Sequence, residues 1–274
     1  MARILSISSQ VVRGHVGNSA AVIALQRLGH EVWPLPTVVL SNHPGHPKVA
    51  GLRIPPETIL AIVRALEGNG WLGEIDAVST GYLPSAAHVA AAAAAIRLVA
   101  EARRDVLVLV DPVLGDDPKG LYIEPAAAEA VRDTLLPLAG IVTPNRFELA
   151  WLSGRPVTDP GSAAEAAKAL AVPAVVATSI PGRAPGGGEL VNLLWSSDGV
   201  REAAVPRQIG VPHGTGDLLA ALYLGTLLNG ASAAEALGAA ALGVRAAIEA
   251  SAGADELKLS GLPGAKTMES GHLR

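Results

Sequence analysis

The chain has 274 residues, half of them hydrophobic and 17% charged, a globular composition long enough to bury most of its apolar surface. It contains no cysteine, which excludes a disulfide scaffold, a thiolate metal site and a thiol nucleophile. A net charge of −4 with 3% aromatics argues against global attraction to phosphate backbones and against an aromatic platform for single-stranded nucleic acid.

The N-terminal run Met1–Ser8 is too short for a signal-peptide core. The apolar run Leu218–Leu228 falls far below the ~20 residues that span a bilayer. The expectation is a soluble, cytoplasmic protein that uses neither membrane nor nucleic acid.

Strands and helices alternate along the chain. Arg3–Ser8 reads as a buried strand, Asn18–Leu28 as a helix ending before Gly29, and Glu31–Pro36 as a second strand. A Pro/Gly/His loop, Ser41–Gly51, precedes a helix opened by Pro55 and Pro56 and running to about Glu67. Ala77–Thr80 is a strand, Ser85–Arg103 an alanine-rich helix, and Val106–Val110 an unbroken β-branched and leucine run suited to a central strand. Ala126–Leu135 is a helix, Gly140–Thr143 a strand, Arg146–Leu152 a short helix, and Ser162–Leu170 a helix with Ser162 as its expected N-cap. Val175–Thr178 is a buried strand, and Leu190–Trp195 with Arg201–Val205 form an edge hairpin. Helices over Thr215–Asn229 and Ala233–Ala250 follow. This order predicts one α/β domain over residues 1–274, with a mostly parallel central sheet and helices on both faces.

Gly214-Thr215-Gly216-Asp217, directly before an apolar helix, is the most informative motif. Glycines at a helix start expose backbone N–H groups where the helix dipole is positive, which makes an anion hole suited to a transferring phosphoryl group. Asp217 in the first turn is expected to stay ionised there and to accept a proton from a substrate hydroxyl. Read alone, the motif fits equally a glycine turn with an ordinary first-turn aspartate.

Asp111-Pro112-Val113-Leu114-Gly115-Asp116 follows the central strand. Ligands of open α/β sheets sit at such strand ends, and paired carboxylates there suit Mg²⁺ beside nucleotide phosphates. An aspartate that merely starts a turn is the plainer alternative. Thr143-Pro144-Asn145-Arg146-Phe147-Glu148 follows the next strand; Glu148 could face Asp111 across a phosphate–metal site or be only a first-turn helix charge. The Thr178 hydroxyl could reach a phosphate, or Thr178 could serve β-propensity alone.

Other signals fail on context. Gly261–Thr267 has Ala265 where a Walker A loop needs glycine and no strand before it. Gly14–Gly17 lacks dinucleotide spacing, and Gly186–Gly188 reads as a hairpin approach. His43 and His46 have no nearby carboxylate in sequence for a zinc site. His30 and His88 read as solvent or core histidines, and the basic residues do not cluster.

Together, Gly214–Asp217, Asp111–Asp116 and Thr143–Glu148 resemble the ribokinase-like superfamily. Ser6–Val12, Gly14–Ser19, Leu35–Asn42, Thr80–Tyr82 and Lys119–Tyr122 resemble the corresponding segments of pyridoxal kinases, in order to about Ala247. The resemblance implies a three-layer α-β-α fold and ATP-dependent phosphorylation of the 5′-hydroxymethyl group of pyridoxal, pyridoxine or pyridoxamine. It implies Asp217 as general base, with Gly214, Thr215 and Gly216 as anion hole. It places Ser9, Thr37, His43, His46 and Tyr82 on the substrate side. Asp111, Asp116, Tyr122, Asn145, Glu148, Thr178, His213 and Gly214 fall on the ATP side, and Asp111, Tyr122, Thr143 and Glu148 around the metal. It further implies Mg²⁺ with K⁺, a homodimer, a substrate flap at 41–51 and a phosphate loop at 116–122.

The flap departs from many relatives, with Pro44 for threonine and with His46 and Val49 for aromatics; Pro47 stiffens it further. His213 stands where some relatives carry a lysine able to form a Schiff base with pyridoxal. These changes bear on vitamer preference. A hydroxymethylpyrimidine or sugar kinase of the same fold is the alternative, and Ser9 with Tyr82 favours a flat heteroaromatic ring over a sugar. A non-catalytic B6-binding protein is the other, and the intact Asp217 counts against it.

Overall fold

The computed structural model describes residues 1–183 and 185–262, so most of Gly261–Thr267 lies outside the described residues. Strand β1 (Arg3–Val11) leads through α1 (Asn18–Arg27) to β2 (Glu31–Leu40), which folds back on the short β3 (Gly51–Arg53). Next come α2 (Pro56–Gly68), β4 (Ala77–Thr80), α3 (Ala86–Ala102) and β5 (Leu107–Val110). A small ribbon of β6 (Gly115–Asp116) and β7 (Gly120–Leu121) precedes α4 (Pro125–Ala130), β8 (Ile141–Val142), α5 (Arg146–Ser153) and α6 (Pro160–Ala169). The chain continues through β9 (Ala174–Pro181), β10 (Glu189–Ser196), β11 (Gly199–Pro206), α7 (Thr215–Leu228) and α8 (Ala233–Ala250).

The described strands form a nine-stranded sheet in the order β11-β10-β9-β8-β5-β4-β1-β2-β3. The six strands from β9 to β2 run parallel, and antiparallel pairs close both edges. The β-branched and leucine run puts β5 at the middle of this order, as its uninterrupted apolar character requires. Side chains alternate across the sheet. Val108 and Val110 pack with α2 to α6 on one face, whereas Leu109 packs with α1, α7 and α8 on the other. Full burial of Leu109 contributes roughly 1.5–3 kcal/mol.

Alanine compensates for the shortage of aromatics. Ala91, Ala92, Ala93 and Ala95 of α3 are buried in the first layer, where short side chains let helix and sheet approach closely. Helix α7 is apolar all round and buries Leu218 through Thr226, the pattern of a helix covered on every side. His30 and His88 are both core residues. His30 bridges the Ala2 amide at 3.2 Å and the Gly225 carbonyl at 2.8 Å; His88 bridges the Ser85 hydroxyl and the Ile54 carbonyl.

Several boundaries differ from the sequence expectation. Strands β1 and β2 run on past Ser8 and Pro36 because Gln10 and Val11 pair with Val39 and Leu40 beyond a bulge at Ser9. The helix expected over Ala126–Leu135 widens into a π turn at Val131–Leu135. Asp159, not Ser162, caps α6: its carboxylate accepts from the Gly161 and Ser162 amides, and Ser162 returns a bond as the third helical residue. Both ends of a capping box carry helix-start chemistry, so the two positions are easily exchanged from sequence.

Tyr223 lies wholly inside the α1–α7–α8 layer, and its hydroxyl has no partner there. A buried hydroxyl without a partner costs rather than adds stability. Tyr223→Phe is therefore expected to leave stability unchanged or raise it by up to about 1 kcal/mol, as read by urea unfolding; a loss of similar size would mean that the hydroxyl is bonded.

Candidate active site

The parallel strands present their carboxyl ends to a common cleft. Asp111 leaves β5, with its amide bonded to the Thr80 carbonyl at the end of β4 (2.9 Å). Thr143 leaves β8, with its amide on the Val110 carbonyl (3.1 Å). Thr178 of β9 bridges to Asn145. The ends of β4, β5, β8 and β9 thus bring Gly81, Asp111, Thr143, Asn145 and Thr178 side by side.

Glu148 is the structural centre of this floor. Its Oε1 accepts from the amides of Leu114 (2.7 Å) and Gly115 (3.4 Å), and its Oε2 accepts from the Asn145 amide (2.9 Å). Asn145 reciprocates by accepting from the Glu148 amide (3.0 Å) and donating to the Gly115 carbonyl (2.8 Å). One capping box therefore starts α5 and ties the β5 loop to the β8 loop. Val113, between Asp111 and Leu114, sits at φ 47°, a strained conformation for a β-branched residue and one often found at functional sites.

Acidic groups converge here. Burial pushes the Asp111 carboxyl well above its ordinary range, and the charges of Glu148 and Asp217 add to that. Burial raises Glu148 to about 7 against the pull of its three backbone donors. The Tyr122 phenol, in the 116–122 loop, is driven upward by partial burial, its residue being about half exposed, and by Glu148, Asp111, Asp116 and Asp217. Asp116 Oδ1 is buried with no hydrogen-bond partner among the described residues, and the Thr143 hydroxyl, facing Asp111, favours that group's ionised form. Among the described residues no three His, Cys, Asp or Glu side chains are close enough to surround a metal.

Asp217 stands in the first turn of α7, with Gly214 at the N-cap. A Cβ at Gly81 would lie 4.0 Å from Asp217 Oδ1, which sets the carboxylate against the end of β4. Burial raises Asp217 to about 6, opposed by the backbone amides of Gly17 and of Asp217 itself. The helix start thus lowers the proton affinity as expected, but burial outweighs it; at neutral pH the group is still mostly ionised. Gly214 has φ 101°, and a Cβ there would overlap the His15 carbonyl oxygen. Glycine is required twice over, by conformation and by space.

The substrate-side residues divide. Ser9 lies at the β1 bulge, its hydroxyl against Gly17, and Tyr82 is partly buried. Thr37 is fully buried and donates to the Tyr82 carbonyl (2.7 Å), while the Ser8 hydroxyl accepts the Tyr82 amide (3.2 Å). Thr37 therefore places Tyr82 from beneath, and Ser8, which sequence reasoning assigned no role, does so from the side. His43 stacks on His213 with ring centroids 3.8 Å apart. Burial, His213, His46 and Lys119 bring His43 down to about 4, so the ring is neutral at neutral pH. His46 points instead to Glu256 (2.9 Å).

The sequence and fold have counterparts among known proteins. The family model described as phosphomethylpyrimidine kinase matches residues 33–260. A pyridoxal kinase of Corynebacterium diphtheriae is 35% identical, covering 93% of this chain and 92% of that protein. A pyridoxine/pyridoxal/pyridoxamine kinase of Bordetella bronchiseptica is 38% identical over 94% of this chain and 93% of its own. The chain belongs to the pyridoxal kinase family. A pyridoxal kinase structure from Leishmania donovani, in complex with ADP and pyridoxine, superposes with a TM-score of 0.89 at 33% identity, covering 97% of this chain and 95% of that one. The nine-stranded, mostly parallel sheet between two helical layers is the ribokinase-like α/β fold of that family, as the sequence implied.

The Gly214 position gives a direct test of the helix start. Gly214→Ala is expected to cost on the order of 2 kcal/mol or more, through positive φ and the clash with His15. Denaturant unfolding measures it; a variant as stable as the parent would mean that the loop relaxes freely.

Proposed function

We propose that this chain transfers the γ-phosphoryl group of ATP to the 5′-hydroxymethyl group of pyridoxal, pyridoxine or pyridoxamine. The observation that carries the reading is Asp217 at the glycine-opened start of α7, facing the strand-end carboxylates, in a chain whose relatives bear these kinase names. Asp217 takes the proton of the substrate hydroxyl as its oxygen attacks the γ-phosphorus, and the bond to the bridging oxygen breaks to release ADP. Gly214, Thr215 and Gly216 offer amides to the charge that grows on the phosphoryl oxygens. Ser9 bonds the pyridine ring and Tyr82 lines its pocket, set by Thr37. The flap, with His43 and His46, covers it.

On the nucleotide side, Asp116, Tyr122, Asn145, Thr178 and His213 border the phosphates. The raised proton affinity of Asp111 and Glu148 and the unpartnered Oδ1 of Asp116 mark a cluster short of positive charge. Asp111, Glu148, Thr143 and Tyr122 would hold Mg²⁺ with the phosphates, since this ion keeps its own waters and needs only one or two carboxylates. When bound, it would offset charge on the phosphoryl group.

The reading extends to use of K⁺, a homodimer, a cytoplasmic setting and a single domain over residues 1–274. For the setting, no described helix is long and apolar enough to cross a membrane. The phosphomethylpyrimidine kinase model favours hydroxymethylpyrimidine as the alternative substrate.

A coupled assay with ATP, Mg²⁺ and the three vitamers, with and without K⁺, is expected to show turnover. Turnover of none would overturn the reading, and hydroxymethylpyrimidine turned over at least as fast as pyridoxal would favour the alternative. Asp217→Asn should lower kcat roughly 10²–10⁴-fold while ligands still bind. With Asp217 at about 6, the base is lost as pH falls, so kcat/KM should climb with pH through that value and level off above it. A flat profile, or an unchanged Asn variant, would remove Asp217 as the base.

A further inference from the structure

The flap over residues 41–50 is knitted to itself. Ser41 N–H donates to the Ala50 carbonyl (2.7 Å), Ala50 N–H to the Ser41 hydroxyl (3.0 Å), and the Asn42 amide to the carbonyls of His43 (3.1 Å) and Lys48 (3.0 Å). Beyond its root, the side chains that tie it to the rest of the molecule are two histidines. His43 stacks on His213 beside the anion hole. His46 Nε2 meets Glu256 Oε1 at 2.9 Å.

Glu256 lies past α8, outside every motif discussed above, yet it is built in. Arg13 Nη1 donates to the same oxygen at 2.9 Å, and the Glu256 side chain is only 14% exposed. Space for it comes from Gly14, where a Cβ would overlap the carboxylate. Arg13 also clasps Asp255 with both oxygens (3.0 and 2.9 Å), but those partners are more than half exposed, and such pairs contribute little. The less exposed Glu256 is the stronger node. The backbone N–H of Arg13 donates to the Ser41 carbonyl (2.9 Å) at the root of the flap. The His15 ring meets the Leu257 carbonyl, and the His15 carbonyl abuts Gly214. Three consecutive residues thus connect flap root, tail and anion hole.

We infer that Glu256 is a positioning residue for the substrate side of the reaction: it latches the flap through His46 and so keeps His43 stacked on His213 at the mouth of the anion hole. The latch is read from geometry alone; only the identity of the substrate it encloses rests on the function proposed above.

Amide hydrogen exchange on the ligand-free protein tests the latch without reference to activity. Glu256→Ala should speed exchange across residues 41–50 about three- to tenfold, the effect of losing one ordinary hydrogen bond, and leave β1, β4 and β5 unchanged. Glu256→Gln, which can still accept from His46, should restore most of the protection. His46→Ala should match Glu256→Ala, and the double variant should add nothing further. In turnover, Glu256→Ala should raise KM for the vitamer by a similar factor, with kcat and the KM for ATP within about twofold. Unchanged flap exchange overturns the latch, as does faster exchange throughout the chain or an equal rise in both KM values. If no vitamer is turned over, the function fails, while the exchange result still decides the latch.

Discussion

Like charge confined at the carboxyl ends of the sheet is the constraint on which the site depends. Asp111, Glu148 and Asp217 are all driven toward protonation by burial, and the first two by neighbouring carboxylates as well. Groups that bind protons more tightly in the folded state favour folding at low pH and lose that contribution as pH rises; for Glu148 the loss falls between about 4.5 and about 7. The fold therefore carries an electrostatic cost at neutral pH. A cation held only by the folded chain would offset it, and the site that costs most empty is the one best prepared for phosphates with their counter-ion.

The cost is tolerated because the backbone holds the charges in place. Glu148 draws on three amides from two loops, and the same contacts start α5 and hold Val113 in its strained conformation. A helix cap, a loop crossing and a charged group share one set of hydrogen bonds, so none can relax alone. Asp217 is held differently, by a helix start whose glycine lies against His15. The acidic floor and Asp217 are thus set by separate elements, which leaves the distance between them to sheet packing rather than to loop conformation.

What could be read from sequence divides along the same line. The apolar run of β5, the edge hairpin and the helix opened by Gly214 are local patterns, and their positions were legible within a few residues. Asp111, Glu148 and Asp217 were legible as strand-end or first-turn carboxylates, and the family resemblance tied them to one site. That burial would outweigh the helix dipole at Asp217 was not, because desolvation comes from distant chain packed around it. The resemblance put Thr37 on the substrate side, but its bond to the Tyr82 backbone, and that of Ser8, were opaque for a similar reason: the partner lies 45 and 74 residues away. Glu256 was the most hidden. It sits in a tail without periodicity and meets His46 across 210 residues. The clue present in the sequence was Gly14, within a stretch dismissed for lacking dinucleotide spacing.

The flap's two contacts differ in kind, a ring stack and a carboxylate contact, and this orders their roles. Two imidazolium rings stacked at 3.8 Å would repel, and burial with nearby Lys119 keeps both His43 and His213 below their ordinary range. The stack is therefore an uncharged cover near the anion hole, and it does not compete with the amides for phosphoryl charge. Lys119, on the opposing loop, supplies the positive charge that both rings sense. Glu256 lies on the outer side of the flap and accepts from His46 whether or not that ring is charged. Attraction is thus placed at the rim and neutrality at the reacting end. In the reaction proposed above, a closed flap built this way would exclude water from the phosphoryl group without placing a fixed cation of its own against it.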